Sequence, residues 1–487
     1  MRTRICLYIL LLAPLVVYWQ TAFQEYGLTS DYTNLHESRA EPGKLVKTSA
    51  ARGRPLYGAM LETSFSATGE VENLQWMRLC TIVLITLLGV GVWRQLYQSG
   101  WSEIEAAGIG LGIVLLPSVQ VLVGWASGWP QALTLLLAAA GFSAIETEIE
   151  RGGMKRVVAL FGGCMIYTAA ALIYQANVLF ALVIVTAVLL VRTGREPLSD
   201  SKWVAFHVAA VGVGLGLGGF IMHLLFGNGV FQQVTDPVVG GAFSFFRYPL
   251  PNALGLYALN DDHHTGAVFY WLTAIGVVTA LVLAYRKIAA SADTSIRRHG
   301  MYAVSALVVI TITVCFVAAD RIGTYRVLFA LAGIVLVLIV FALRALVVKK
   351  KMLPLHYAGL GLLAVLVGFL AHRNSHGLLA EPQHAEWDLM HGAVLRADFT
   401  KSVRVHIVTA GENDRTTDRI YGDEFGTISS DAEGVAKDMF RAALYTRFGD
   451  KLPKGGRFDL TTSATDPVAG SYDLLIDMRK LRALAEQ

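Results

Sequence analysis

The feature that most limits what this chain can become is a succession of long apolar runs. A helix rises 1.5 Å per residue, so ~20 apolar residues cross a ~30 Å hydrocarbon layer. Runs near that length recur at about 5–20, 77–95, 106–126, 130–147, 156–173, 177–192, 203–226, 266–285, 301–319, 325–347 and 353–371. The sequence therefore predicts a polytopic α-helical membrane protein with about eleven transmembrane helices. Composition agrees. Of 487 residues, 54% are apolar and 16% charged, against ~25% charged in soluble domains. The mean hydropathy is +0.51. Two tight hairpins are expected, at "SGWP" (127–130) and "YQAN" (174–177).

The distribution of charge says more than the net charge of +4. If the N-terminus is cytoplasmic, the cytoplasmic segments collect Arg2 and Arg4, Arg94, Arg151 with Lys155 and Arg156, and Arg192 with Arg195 and Lys202. Arg286, Lys287, Arg297, Arg298, Arg344 and Lys349 to Lys351 follow on the same side. The short loops opposite hold Arg247, Arg321 and Arg326. This bias is the positive-inside pattern. An odd number of spans then puts the C-terminus outside. The expected domains are a membrane domain, 1–371, and an extracytoplasmic α+β domain, 372–487. The membrane domain carries a first outer loop, 21–76, and a second large outer loop, 227–265. In the tail, "SVRVHIVTA" (402–410) and "SYDLLIDM" (471–478) read as strands. Residues 431–449 read as a helix with Val435, Met439, Ala442, Ala443 and Phe448 at helical spacing.

The first span follows Arg2 and Arg4 as a signal peptide would, but "VVYWQTAFQ" lacks a small-x-small cleavage pattern, so it reads as a retained helix. Cys6, Cys80, Cys164 and Cys315 fall in separate apolar spans and read as buried structural thiols. The glycines of "GVGLGLGG" (212–219) lie within a span, where small residues let helices approach closely. No Walker loop and no Gly-x-Gly-x-x-Gly after a strand is present, which argues against nucleotide use. "DEFG" (423–426) lacks the context of the kinase element; Asp423 and Glu424 read as surface or acceptor-contacting residues. No nucleic-acid partner is expected.

The polar residues that invite chemistry lie at the outer ends of the spans. "TSDYTNLHESR" (29–39) places Asp31, His36, Glu37 and Arg39 just beyond span one. Asp31 has two readings, a helix cap or a general base for a hydroxyl. "ARGRPLYGAMLETSF" (51–65) follows, with Pro55 suited to a first helical turn. Its Leu56, Tyr57, Met60, Leu61 and Phe65 share a face, as in a helix lying in the membrane interface. Arg52 and Arg54 at its start either anchor that helix or hold an anionic phosphate. "NDDHH" (260–264) hints at a divalent metal, but adjacent side chains rarely converge on one ion, so a metal is not favoured and no cofactor is assigned.

In order and in common side, these features resemble the O-antigen-modifying glucosyltransferases of bacteria and their phages. That family sits within the GT-C group of lipid-phosphosugar-dependent glycosyltransferases. The resemblance rests on the acid in "TSDYTNLHES", on "GRPLYG", on Tyr174 and Gln175 in "IYQANVLF", on "DRIGTYRVLFAL" (320–331) and on "YGDEFGTISSD" (421–431). Many relatives carry two adjacent acids in the first loop, whereas here Tyr32 follows Asp31. The resemblance implies a bacterial inner-membrane enzyme with a periplasmic tail. Its donor would be a polyprenyl-phosphate sugar, glucose or a related hexose. Its acceptor would be a surface glycan or lipid-linked saccharide. Asp31 would be the base. Arg54, Arg321 and Arg326, backed by Arg52 and Arg247, would steady the leaving phosphate. Tyr32, His36, Glu37, Tyr174, Gln175, Asp262 and His264 would contact the sugars. A lipid-linked glycan flippase and a polysaccharide polymerase are the competing readings. A transporter would place ionisable or helix-breaking residues nearer mid-membrane.

Overall fold

The computed structural model describes residues 2–192, 198–227, 245–246, 249–259, 267–290, 300–310, 324–346, 352–409, 424–453 and 456–481. Eighteen α-helices are labelled here in chain order. They are α1 (Arg2–Phe23), α2 (Ser30–Ala40), α3 (Lys44–Ala51), α4 (Pro55–Thr68), α5 (Leu74–Gln98), α6 (Glu103–Val114), α7 (Pro117–Gly124), α8 (Trp129–Ile149) and α9 (Gly153–Val178). Then come α10 (Phe180–Leu189), α11 (Asp200–Phe226), α12 (Pro249–Gly255), α13 (Ala267–Ala290), α14 (Gly300–Ile310), α15 (Phe329–Leu346), α16 (Leu353–Ser375), α17 (Glu381–Arg396) and α18 (Glu433–Phe448).

Each expected apolar run contains a helix, so the protein is a polytopic helical membrane protein. Among the described residues, seven helices are long and apolar enough to cross a bilayer, or eight if the bent pair α6–α7 is one span. The apolar stretches 180–189, 300–310 and 329–344 are shorter. The run 106–126 is not one straight helix. Pro117 opens α7, its ring cannot follow a helical residue comfortably, and the axis bends by 49°. The start of α6 is fixed by a capping box: Glu105 N–H donates to Ser102 Oγ, and Ser102 N–H donates to the Glu105 carboxylate. Helix α10 is only ten residues, ~15 Å long. No residue in it exceeds 3% exposure. It sits against α5, α8, α11 and α15 as an internal strut.

The glycine run in α11 packs as expected, on successive turns of one face. A Cβ on Gly214 would lie 2.4 Å from Tyr167 Cβ, and one on Gly218 would lie 3.0 Å from Ala171 Cβ, whereas Gly212 and Gly216 face open space. The hairpin at "SGWP" is a 3-10 turn, Ala126–Gly128, followed by Pro130 in the first turn of α8. Gly128 is obligatory there, since a Cβ would come within 2.2 Å of Leu122 O. The second expected hairpin is instead a kink: the backbone is extended at Tyr174 (φ −156°, ψ 103°) inside α9, which runs on to Val178 and leads through Leu179 into α10. The thiols are less uniform than expected. Cys6 is buried, but Cys164 is half-buried and Cys80 is exposed on the outer side of α5. Cys315 lies outside the described residues.

Helix α16 continues through a π-turn (His376–Ala380) into α17, carrying the chain out of the bundle. The apolar part is 353–375; α17 carries Glu381, His384, Glu386, Asp388 and His391 and lies beyond it. The tail is α+β. Three parallel strands, β1 (Ser402–Val408), β2 (Arg457–Ser463) and β3 (Leu474–Asp477), lie in the order β2-β1-β3. Helix α18 makes the β1–β2 crossover that parallel pairing requires. Strand β2, "RFDLTTS", is absent from the sequence reading because its alternation is mostly polar.

The first loop does not spread on a membrane surface as expected. Its helices α2, α3 and α4 share one buried cluster with α17, α18 and the sheet, including Leu35, Leu61, Phe65, Trp387, Met439 and Phe440. Leu61 and Phe65 are buried, Tyr57 and Met60 pack against Ile173 and Tyr174, and Leu56 alone of that face is exposed, at 38%. The apolar face of α4 finds protein on both sides and so leaves little surface for lipid. Gly58 lets α3 and α4 cross, since a Cβ there would sit 2.7 Å from Leu45 O.

Candidate active site

Asp31 stands in the first turn of α2 and is fully buried. Its Oδ2 accepts from Leu28 N–H (3.0 Å) and Ala126 N–H (3.2 Å). Its Oδ1 accepts from Ser127 N–H (3.1 Å) and Ser127 Oγ–H (2.6 Å). The carboxylate thus joins the first loop to the α7–α8 turn across the bundle rim. Burial pushes its pKa up. The bonds from Ser127 and Leu28 and the nearby Arg78 guanidinium oppose that rise.

Arg78 was not singled out in the sequence. It is fully buried in α5. It donates to Ala22 O (3.0 Å), Tyr26 O (2.9 Å) and Gln24 O (2.6 Å), and lies 4.0 Å over the Tyr26 ring. These carbonyls end α1 and begin the first loop, so Arg78 fixes the approach to Asp31. The available signal was an arginine within an otherwise apolar run.

A cationic group lies beside this junction. Arg54, the residue before α4, sits 4.2 Å over the Tyr174 ring, with Nε 3.4 Å from Gln175 Oε1. Gln175 Nε2 in turn donates to Gly53 O. The break at Tyr174 therefore presents both residues to the loop. Tyr57 lies one turn beyond Arg54; its hydroxyl donates to Ser127 O (3.1 Å) and its ring is 6.3 Å from that of Tyr174. Arg326 packs 4.9 Å from the Trp125 ring and pairs with Glu424, Nε to Oε1 3.3 Å. Burial pushes the Tyr57 pKa up to about 12, against the Gln131 side chain at its hydroxyl and the more distant guanidinium groups of Arg326 and Arg54. Tyr57 is therefore a neutral hydroxyl donor.

The structure brings Asp31, Arg54, Tyr174, Gln175 and Arg326 together around the Trp125–Ser127 turn. Tyr57, Trp125 and Ser127 join them without having been nominated. Glu424 is no surface residue: its side chain is 13% exposed, against Arg326. Other nominated residues lie elsewhere. Arg52 is exposed at the end of α3. Tyr32 is buried, accepts from Gly27 N–H (3.0 Å) and stacks on Trp387 at 5.9 Å. Glu37 pairs with Lys44 (2.9 Å). His36 is half-buried toward the tail, where burial and the nearby Arg441 lower its pKa. Arg247, Asp262, His264, Arg321 and Asp423 lie outside the described residues. Among the described residues, no group of three or more His, Cys, Asp or Glu side chains could hold a metal ion.

No family model and no curated protein matches this sequence. Among solved structures, it is similar to the Archaeoglobus fulgidus oligosaccharyltransferase, crystallised with zinc and sulfate. The match has 13% identity and a TM-score of 0.40, and covers 82% of this chain and 55% of that one. The chain thus spans about half the length of that protein.

Proposed function

We propose that the protein is an integral-membrane glycosyltransferase that moves a hexose from a polyprenyl-phosphate sugar to a glycan at the outer face of a bacterial inner membrane. The observation that carries this reading is the grouping of Arg54, stacked on Tyr174 beside Tyr57, and Arg326, packed on Trp125, around the turn that holds the Asp31–Ser127 junction. Transfer breaks the bond between the sugar C1 and the phosphate oxygen. The electron pair leaves with the polyprenyl phosphate, and an acceptor oxygen forms the new bond to C1. Negative charge grows on the departing phosphate, where preorganised guanidinium groups and a neutral phenol act most strongly. Arg54 is braced by Tyr174 and Gln175. Arg326 would exchange Glu424 for the phosphate. Asp31 takes the acceptor proton, with the Ser127 hydroxyl as the relay, since Ser127 Oγ is the side-chain oxygen bonded to its carboxylate.

A second reading is favoured by the four donors on Asp31: the carboxylate is a clamp that builds the site, and another base acts. The test is transfer of labelled hexose from polyprenyl phosphate to extracted surface glycans by membranes carrying the protein. Transfer by Asp31→Asn at the wild-type rate removes Asp31 as base. Lipid movement without any transfer would favour the flippase reading instead.

A further inference from the structure

A cleft of about 390 Å³ opens between α2 and the tail. Its walls come from His36 and Arg39 on α2, Arg441 and Tyr445 on α18, Phe458 on β2, and Asp450 after α18. Arg39 lies flat on the Tyr445 ring, its guanidinium carbon 3.4 Å from the centroid. Stacking occupies the face of a guanidinium and leaves its in-plane N–H groups to bind oxygen atoms. Arg39 Nε is buried, yet has no hydrogen-bond partner among the described residues. Arg441 pairs with Asp438 at 2.8 Å. Asp450 is an exposed carboxylate at the rim. The cleft thus holds two guanidinium groups above aromatic and aliphatic walls. It is at the small end of ligand sites, ~300–1,000 Å³, and far larger than a bare anion needs.

We infer that this cleft is a subsite for an anionic sugar residue of the acceptor glycan, its carboxylate or phosphate held by Arg39 and Arg441 and its ring against Phe458. The inference rests on the glycosyltransferase reading. Arg39 follows Asp31 by two helical turns, ~12 Å along α2. The sugar in the cleft is therefore a neighbour of the unit being modified, and the subsite selects which glycan is accepted.

The test uses the full-length protein in lipid nanodiscs and three probes: methyl glucuronoside, methyl glucoside 6-phosphate and neutral methyl glucoside. Binding is followed by saturation-transfer NMR. At least one anionic probe should bind about tenfold or more tightly than the neutral one, and which one does identifies the anion. Arg39→Gln should weaken that binding about 10- to 100-fold, as loss of a charge-assisted pair does. Asp450→Asn should strengthen it, an outcome that misfolding does not produce. Equal binding of all three probes, or full affinity in Arg39→Gln, overturns the subsite. Hexose transfer from the labelled lipid donor is assayed separately. Selective binding without transfer from any lipid phosphosugar overturns the glycosyltransferase reading and leaves an anionic-sugar site. Transfer without selective binding overturns the cleft alone.

Discussion

Replacing Asp31 with asparagine tests how the first loop is held. A carboxylate only accepts hydrogen bonds, and both Asp31 oxygens face donors. Asparagine offers one acceptor and one NH₂ donor. Its least costly pose keeps the carbonyl toward Leu28 and Ala126 N–H and turns the NH₂ toward Ser127, whose hydroxyl can rotate to accept. Ser127 N–H is then orphaned in a buried site, a loss of ~1–3 kcal/mol. The remaining bonds also lose their ionic acceptor, which roughly halves a charge-assisted bond, a further ~2 kcal/mol. The junction should weaken by about 3–5 kcal/mol. Hydrogen exchange on the full-length protein in nanodiscs reads this directly: Ala126 and Ser127 amides should lose protection by ~10²–10⁴-fold. Wild-type protection in Asp31→Asn would refute the clamp geometry. With the same variant, a fall in kcat that exceeds any rise in donor KM supports a base, whereas both moving together with exchange supports a clamp.

Arg326→Gln should lower kcat for hexose transfer by ~10²–10³-fold, the loss seen when one preorganised charge partner is removed. Glu424→Gln, which removes the competing carboxylate, should lower the donor KM; steady-state kinetics with a labelled lipid donor checks both. Glu386 in α17 is fully buried, accepts from Ser429 N–H (2.8 Å) and Ser430 N–H, and burial pushes its pKa up to about 7 from 4.5. A raised carboxyl pKa means the folded state binds the proton more tightly. The stability it contributes is full below pH ~4.5, falls as pH rises and is lost above ~7, a change of about 3 kcal/mol. Protease nicking of the 424–431 segment should therefore be slower at pH 5 than at pH 8, and Glu386→Gln should flatten that difference. Gly214→Ala should destabilise the α9–α11 contact by ~1–3 kcal/mol through overpacking against Tyr167, whereas Gly216→Ala, facing open space, should not. Thermal melting in nanodiscs distinguishes the pair.

The sequence discloses what hydropathy and charge encode locally and conceals what is assembled across long separations. An apolar run long enough to cross lipid must be helical wherever its partners are, so all the runs contain helices. The bend at Pro117 and the ten-residue α10 escape the same measure. An averaging window registers neither a 49° change of axis nor the end of a helix whose surroundings are apolar on every side. Arg326 stands out because a guanidinium group at the end of a span is costly to place without a use, and Arg54 because it opens a helix with an apolar face. Their neighbours Tyr57, Trp125 and Ser127 are ordinary residue types at ordinary positions. The bonds that make them a site run from Asp31 to Ser127 across 96 residues and from Arg54 to Gln175 across 121. Asp31 carries the point furthest. A cap and a base look the same in a local pattern, because each is an acid at the start of a helix. The oxygens argue against the cap, since three of the four donors they hold belong to residues 126 and 127 and none to the first turn of α2. The α7–α8 turn, shaped by Pro117, Gly128 and Pro130, is consequently as much a determinant of this site as the first loop that displays the acid.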